Sequence, residues 1–270
     1  MESDPICVNA PPSTPHPDEW IDEASKISPL EWEEAYKKAS AEAYRDGMLL
    51  MDEYIDQQWS LWELEQNCQH PLQILERKTP FRDYPYVFRA QGIVKGRAER
   101  FAWLFQDHDK DTRLLWDDKV KTVQQLETYK TQEGDIDVVK SEIVAPKWHM
   151  YNRLLLGVQS CRYNMQGTHT YSFQTAKHYY FTKYFKDTVH RNCEMIEKCM
   201  VFIWLAPMED GLCNLKMVVC LNPGNLRGAG ALLSQTYPNE LIQRIRLWER
   251  VVADWKKYYP LDPKLVENRK

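Results

Sequence analysis

Two stretches of the chain keep apolar residues at helical spacing, and between them apolar and polar positions mostly alternate. From Ser28 to about Gln58, Ala35, Tyr36, Ala39, Ala43, Leu50 and Tyr54 recur at the helical period. The start is marked in the sequence: Ser28 can cap, Pro29 suits the first turn and Glu31 completes a capping box. Gly47 is expected to bend or weaken this helix. From Pro238 to Tyr258 the stripe Leu241, Ile245, Trp248, Val252 and Trp255 predicts a second long amphipathic helix. Arg244, Arg246, Arg250, Lys256 and Lys257 cover much of its remaining surface.

The middle of the chain reads mainly as strands. Trp62, Leu64 and Gln66, then Leu72, Ile74 and Glu76, alternate with polar neighbours and predict two short ones. A longer strand spans Tyr84 to Lys95, with Tyr86, Phe88 and Ala90 on one face and Val87 and Arg89 on the other. Helical spacing returns over Arg97 to Asp107, and a second short helix follows up to Val120. Strands are then expected over Val120–Lys130, Ile136–Ala145, Leu154–Tyr163, Thr168–Phe181 and Glu194–Leu205, each ended by a turn signal. The last strand alternates most cleanly: Cys213, Leu215, Met217, Val219 and Leu221 face one way, Asn214 and Lys216 the other. One buried face and one wet face is the pattern of an antiparallel sheet. The predicted class is α+β, a meandering antiparallel sheet covered by the two terminal helices. A curved sheet closed by one long helix encloses a cavity unless side chains fill it.

Composition narrows the function. A chain of 270 residues can bury a sizeable core in one large domain or two small ones. A net charge of -4 argues against a dedicated nucleic-acid binder. The cysteines (Cys7, Cys68, Cys161, Cys193, Cys199, Cys213 and Cys220) are odd in number and irregular in spacing, as expected of reduced thiols. Met1-Glu-Ser-Asp-Pro-Ile shows neither a signal peptide nor an Arg-rich transit peptide, and the apolar run Met200 to Met208 is too short to span a bilayer. A cytoplasmic protein is expected. Residues 1–27, rich in proline, read as a disordered leader, 28–258 as the folded domain and 259–270 as a tail.

The search for catalytic chemistry finds little. Asn222 to Gly230 is glycine-rich but lacks the Gly-Lys-Ser/Thr ending of a phosphate loop and reads as a turn before the last helix. The histidines are scattered without metal-ligand spacing, and no nucleophile turn of the G-x-S-x-G kind occurs. No enzyme activity, cofactor or metal is expected. There remains Asp107 to Val120, where Arg113 and Asp117 stand one turn apart on a helix face beside Trp116. This group is either a clamp for a ligand phosphate or an ordinary surface ion pair next to a core tryptophan. Base before acid is the weaker order for supporting a helix, so helix stabilisation is a poor reason for the pair.

Three motifs, in order, resemble the START (StAR-related) lipid-transfer family, most closely its phosphatidylcholine transfer protein branch. Asp111-Thr-Arg-Leu-Leu-Trp-Asp117 is similar to the family's D-Y-R-K-x-W-D. Pro146 to Arg153, ending Met150-Tyr-Asn-Arg153, is similar to P-x-P-M-x-x-R-D-Y, and Leu221-Asn-Pro-Gly224 to D-N-P-G-G. The resemblance covers about residues 30 to 258. It implies a helix-grip fold, in which about nine curved antiparallel strands grip the C-terminal helix around a tunnel holding one lipid. It implies that Arg113 meets the lipid phosphate, that Asp117 holds Arg113, and that Arg153 belongs to the same site. Where the family places the acid and aromatic of its R-D-Y motif this chain has Leu154 and Leu155, and Ser141 stands at the strand tryptophan of the choline cage. Tyr171, Phe173 and Tyr179 are the aromatics that could replace that cage from another strand. Arg244, Trp248, Arg250 and Trp255 are expected to act as lid or membrane contacts. The expected protein carries a phosphatidylcholine-like lipid between membranes and touches their surfaces transiently. The alternatives are a lipid-gated interaction module and a sensor of sterol or another lipid.

Overall fold

The computed structural model describes residues 28–61, 72–144, 152–176, 193–196, 198–222 and 229–260. The first helix, α1 (Pro29–Asp52), begins as its sequence requires. The Ser28 hydroxyl accepts from the Glu31 amide at 3.3 Å, and the Glu31 carboxylate accepts from the Ser28 amide at 2.7 Å. A short turn of helix, α2 (Ile55–Gln58), follows. Three strands come next: β1 (Trp59–Leu61), β2 (Leu72–Arg77) and β3 (Tyr86–Lys95). Two small helices, α3 (Ala98–Gln106) and α4 (Lys110–Leu114), separate them from β4 (Val120–Tyr129), β5 (Ile136–Ile143), β6 (Asn152–Tyr163) and β7 (His169–Thr175). After β8 (Cys193–Met195), β9 (Lys198–Pro207) and β10 (Leu212–Asn222), the chain ends in α5 (Ala229–Ala253) and α6 (Trp255–Tyr258).

The strands form one curved sheet in the order β1-β2-β3-β10-β9-β7-β6-β5-β4, antiparallel throughout, with β8 added in parallel to β6. The last long strand therefore lies in the middle, between β3 and β9. Register fixes which side chains share a face. Ser141 pairs with Leu155, Gln159 with Phe173 and Tyr171 with Ile203, so these residues stand on one side of β5, β6, β7 and β9. That inner side carries the largest core cluster, in which Phe88, Ile203, Leu215 and Val219 meet Leu241, Ile245, Trp248 and Val252 of α5. Each such side chain contributes about 1.5–3 kcal/mol on burial.

The outer side is covered as well. Ala43, Leu50 and Met51 of α1 pack on Met200, Phe202, Val218 and Cys220, while Trp32 and Tyr36 reach Ile136, Val138 and Val158. The upper part of β10 is thus buried on both faces from Met217 to Leu221, which corrects the expectation of one wet face. Asn214 and Lys216 remain partly exposed where α1 does not reach. α1 runs unbroken through Gly47. A Cβ there would lie 2.1 Å from the Phe202 ring, so the glycine lets helix and sheet approach.

Other differences are local. The stretch expected as one strand over Glu194–Leu205 is divided into β8 and β9, which pair with different neighbours. The final helix starts before Pro238, at Ala229, and takes the proline into its interior. The run Ala-Gly-Ala-Leu-Leu-Ser-Gln ahead of it is mostly good helix former, and Pro238 resembles a first-turn signal only in isolation. Tyr259, expected in the tail, is buried. The leader, the positions of Trp62, Leu64 and Gln66, most of the Pro146–Arg153 motif, and Pro223 to Gly228 lie outside the described residues.

Candidate ligand-binding site

The segment from Asp107 to Val120 turns from helix to strand within a few residues. Asp109 caps α4 by accepting from the Thr112 amide at 2.7 Å. The Asp117 amide donates to the Arg113 carbonyl at 3.0 Å, so the helical turn continues past Leu114 and stacks Asp117 on Arg113. Trp116 points into the core, where its Nε1 donates to the Tyr259 hydroxyl at 3.2 Å. That hydroxyl donates to Asp107 Oδ2 at 2.7 Å, which ties the end of the helical region to the loop before α4. The Arg113 guanidinium lies 4.3 Å from the centre of the Trp116 ring.

Asp117 is fully buried and shared by two arginines. Its Oδ2 accepts from Arg113 Nε at 3.2 Å and lies 3.2 Å from Nη2 of the same guanidinium. Its Oδ1 accepts from Arg244 Nη1 of α5 at 2.5 Å and from the Lys119 amide at 3.2 Å. Arg113 Nη1 donates in addition to the Leu104 carbonyl at 3.2 Å. Two guanidiniums and one carboxylate leave the group one positive charge in excess. Burial pushes the Arg113 guanidinium below its ordinary range; Asp117 opposes this shift and Arg244 adds to it. The surface-pair reading of Arg113 and Asp117 is overturned, because the carboxylate they share has no exposure.

Beside this group the inner face turns polar. The Tyr171 hydroxyl donates to Gln159 Oε1 at 3.1 Å, and the Gln159 amide meets His108 Nε2 at 2.6 Å. His108 Nε2 is 3.6 Å from Asp137, which also accepts from Thr128 and Gln125. Burial raises the Asp137 carboxyl, but the pull of neighbouring His108 and the hydrogen bond from Thr128 outweigh it and hold the group below its usual value. Burial pushes the Tyr171 phenol up, against the pull of nearby Arg113. An open cleft of about 620 Å³ lies outside this wall, bordered by Trp103, Asp107, His108 and Gln125. Neither Arg113 nor Asp117 lines it, and it does not border the apolar core under α5.

Of the other residues expected in the site, Ser141, Leu155, Tyr171, Phe173 and Arg153 all lie on the inner face. Leu155, Tyr171 and Phe173 pack in the main core, and Arg153 stands opposite Ile143. Tyr179 lies outside the described residues. The residues expected as lid or membrane contacts divide. Trp248 and Trp255 are buried against the sheet and α3, because they belong to the apolar stripe of α5 and α6. Arg244 points to Asp117, and Arg250 is exposed. Arg244 is the functional candidate whose role sequence reading misplaced. Its four-residue spacing from Trp248, on the stripe that faces the sheet, was the available signal.

No family model and no curated protein matches the chain. Solved structures do. Human STARD10 is similar with a TM-score of 0.60 at 13% identity, over 84% of this chain and 88% of that one. Human StAR-related lipid transfer protein 5 gives a TM-score of 0.60 at 15% identity, over 82% of this chain and 97% of that one. A STAR-related lipid transfer protein fragment from Xanthomonas axonopodis gives 0.51 at 17%, over 71% of this chain and 98% of that one. The chain has the START helix-grip fold. Within the START architecture the Asp117 group sits where α4 meets the gripped helix α5, at the polar border of the inner face.

Proposed function

We propose that this START-fold protein binds one phospholipid, phosphatidylcholine-like in its head group, and transfers it between membranes without chemical change. The observation that supports this most is the fully buried Asp117 joined to Arg113 and Arg244, a group with one excess positive charge beside an apolar core. A phosphodiester brings one negative charge and acceptor oxygens, which suits such a group. Acyl chains held between the sheet and α5 gain about 0.8 kcal/mol per buried CH₂. The printed names of StAR-related lipid transfer protein 5 and the Xanthomonas fragment point the same way. Although Ser141 and Leu155 supply no aromatic faces, Phe105 lies 5.4 Å from Tyr171 and 4.7 Å from Trp248. The Phe105 and Tyr171 rings are the candidates for contact with a quaternary ammonium. The protein works in the cytoplasm and meets membranes only while loading and unloading.

The test is native mass spectrometry of protein purified from cells, followed by extraction of its lipid and an exchange assay between vesicles. One phospholipid per chain and exchange that rises with protein concentration are expected. Tight retention without exchange would make the protein a lipid sensor, and a chain that carries no lipid and accepts none would overturn the reading.

A further inference from the structure

Counting donors separates the roles of the two arginines. A guanidinium has five N–H groups. Arg113 donates Nε to Asp117 and Nη1 to the Leu104 carbonyl, holds Nη2 3.2 Å from the same carboxylate, and lies over the Trp116 ring. Arg244 directs only Nη1 to Asp117 and is 24% exposed. Four residues on, the Trp248 indole Nε1–H is buried with no hydrogen-bond partner among the described residues. A buried indole N–H normally has a partner, and leaving one without costs about 1–3 kcal/mol. Arg244 and Trp248 stand one turn apart on α5, and Trp248 packs on Phe105, which packs on Tyr171 beside Arg113. All three nitrogens of Arg113 thus face a partner of the α4 region, whereas Arg244 commits one of its three, and the unpartnered indole also belongs to α5.

We infer that Arg244, with Trp248 one turn beyond it, binds the polar end of the ligand, and that Arg113 is a positioning residue that holds Asp117 and so orients Arg244. This rests on the ligand being a phospholipid. The open edge of the Arg244 guanidinium donates to the phosphodiester oxygens, and Trp248 Nε1 donates to an ester carbonyl. The two residues are about 6 Å apart along the helix axis, at 1.5 Å per residue, a span that a glycerophospholipid bridges between phosphate and ester. The group's single excess charge is met by the single charge of a phosphodiester. The arrangement makes the phosphate site depend on α5 being docked.

Lipid-free protein would be loaded from phosphatidylcholine vesicles, and in parallel with the diacylglycerol of the same chains, which lacks the phosphate. Bound lipid is counted by native mass spectrometry and the melting temperature recorded for each variant. Arg244→Gln should lower phosphatidylcholine retention about 10- to 100-fold, the loss expected for charge-assisted hydrogen bonds, and leave diacylglycerol retention unchanged. Arg244→Lys, which preserves the ion pair but not the planar fork, should fall between. Arg113→Lys, which keeps a positive charge beside Asp117, should lower phosphatidylcholine retention by a smaller factor than Arg244→Lys does, and an equal or larger loss would overturn the assignment of the phosphate to Arg244. Trp248→Phe, which keeps the aromatic packing, should lower phosphatidylcholine retention by a smaller factor than Arg244→Gln. Undiminished phosphatidylcholine retention in both Arg244 variants would overturn the assignment while leaving the phospholipid reading intact. Equal loss of both lipids in Arg244→Lys would assign Arg244 to packing and overturn it too. Wild-type protein that retains neither lipid would instead remove the phospholipid reading itself.

Discussion

Asp117 shows how much one side chain decides. A carboxylate with no exposure is tolerable only because two guanidiniums and a backbone amide surround it. Replacing it by alanine leaves two partly buried cations facing each other. Asp117→Ala should therefore cost about 3–5 kcal/mol, read from urea unfolding, and abolish phosphatidylcholine binding. A loss under about 1 kcal/mol would mean that water solvates the arginines and the group is no more than an exposed ion pair. Half of this site was legible in the sequence. The Arg113–Asp117 pair is visible as a four-residue spacing whose order makes poor sense as helix support. Arg244 is separated from Asp117 by 127 residues, and its four-residue spacing from Trp248 puts it near the sheet-facing stripe without naming a partner. Only tertiary structure gives it a carboxylate.

At the scale of elements, sequence reading succeeds where a signal is local. The capping box of α1 and the apolar stripe of α5 both hold, because each follows from residues three or four apart. It fails where the cause is a neighbour. Gly47 carries the mark of a weak point in a helix, whereas its reason is the Phe202 ring of β9 against which α1 lies. Gly47→Ala should raise helix propensity by about 1 kcal/mol and still destabilise the protein by about 1–3 kcal/mol. A thermal melt decides the sign: a higher melting temperature would show that α1 can shift away from β9 without loss. The burial of β10 on both faces has the same origin. Its alternation reports an inner face correctly, but α1, far away in sequence, covers part of the other one.

For the whole molecule, the apolar core between sheet and α5 and the charged group at its border are continuous, so on the proposed function ligand occupancy and stability are linked. Phosphatidylcholine at about 100 times its Kd should add about 2.7 kcal/mol and raise the melting temperature by about 5–10 °C. Differential scanning fluorimetry of lipid-free protein with and without phosphatidylcholine vesicles measures this. No shift under saturating lipid would separate binding from the folded core. The strand order has a further consequence, for how the chain reaches this state. β3 and β10 are central neighbours, with Lys95 opposite Leu212 and Tyr86 opposite Leu221, so their ladder closes a loop of more than a hundred residues. β10 also precedes only the final helices. Contacts this distant in sequence demand their loop entropy before they return any energy, and such topologies fold slowly. On the ribosome, β2 and β3 must wait with an unpaired edge until β10 has emerged, more than a hundred residues later. The strand that completes the sheet is the last of the ten described strands to be made, and the interval before it arrives is when the nascent chain is most open to aggregation.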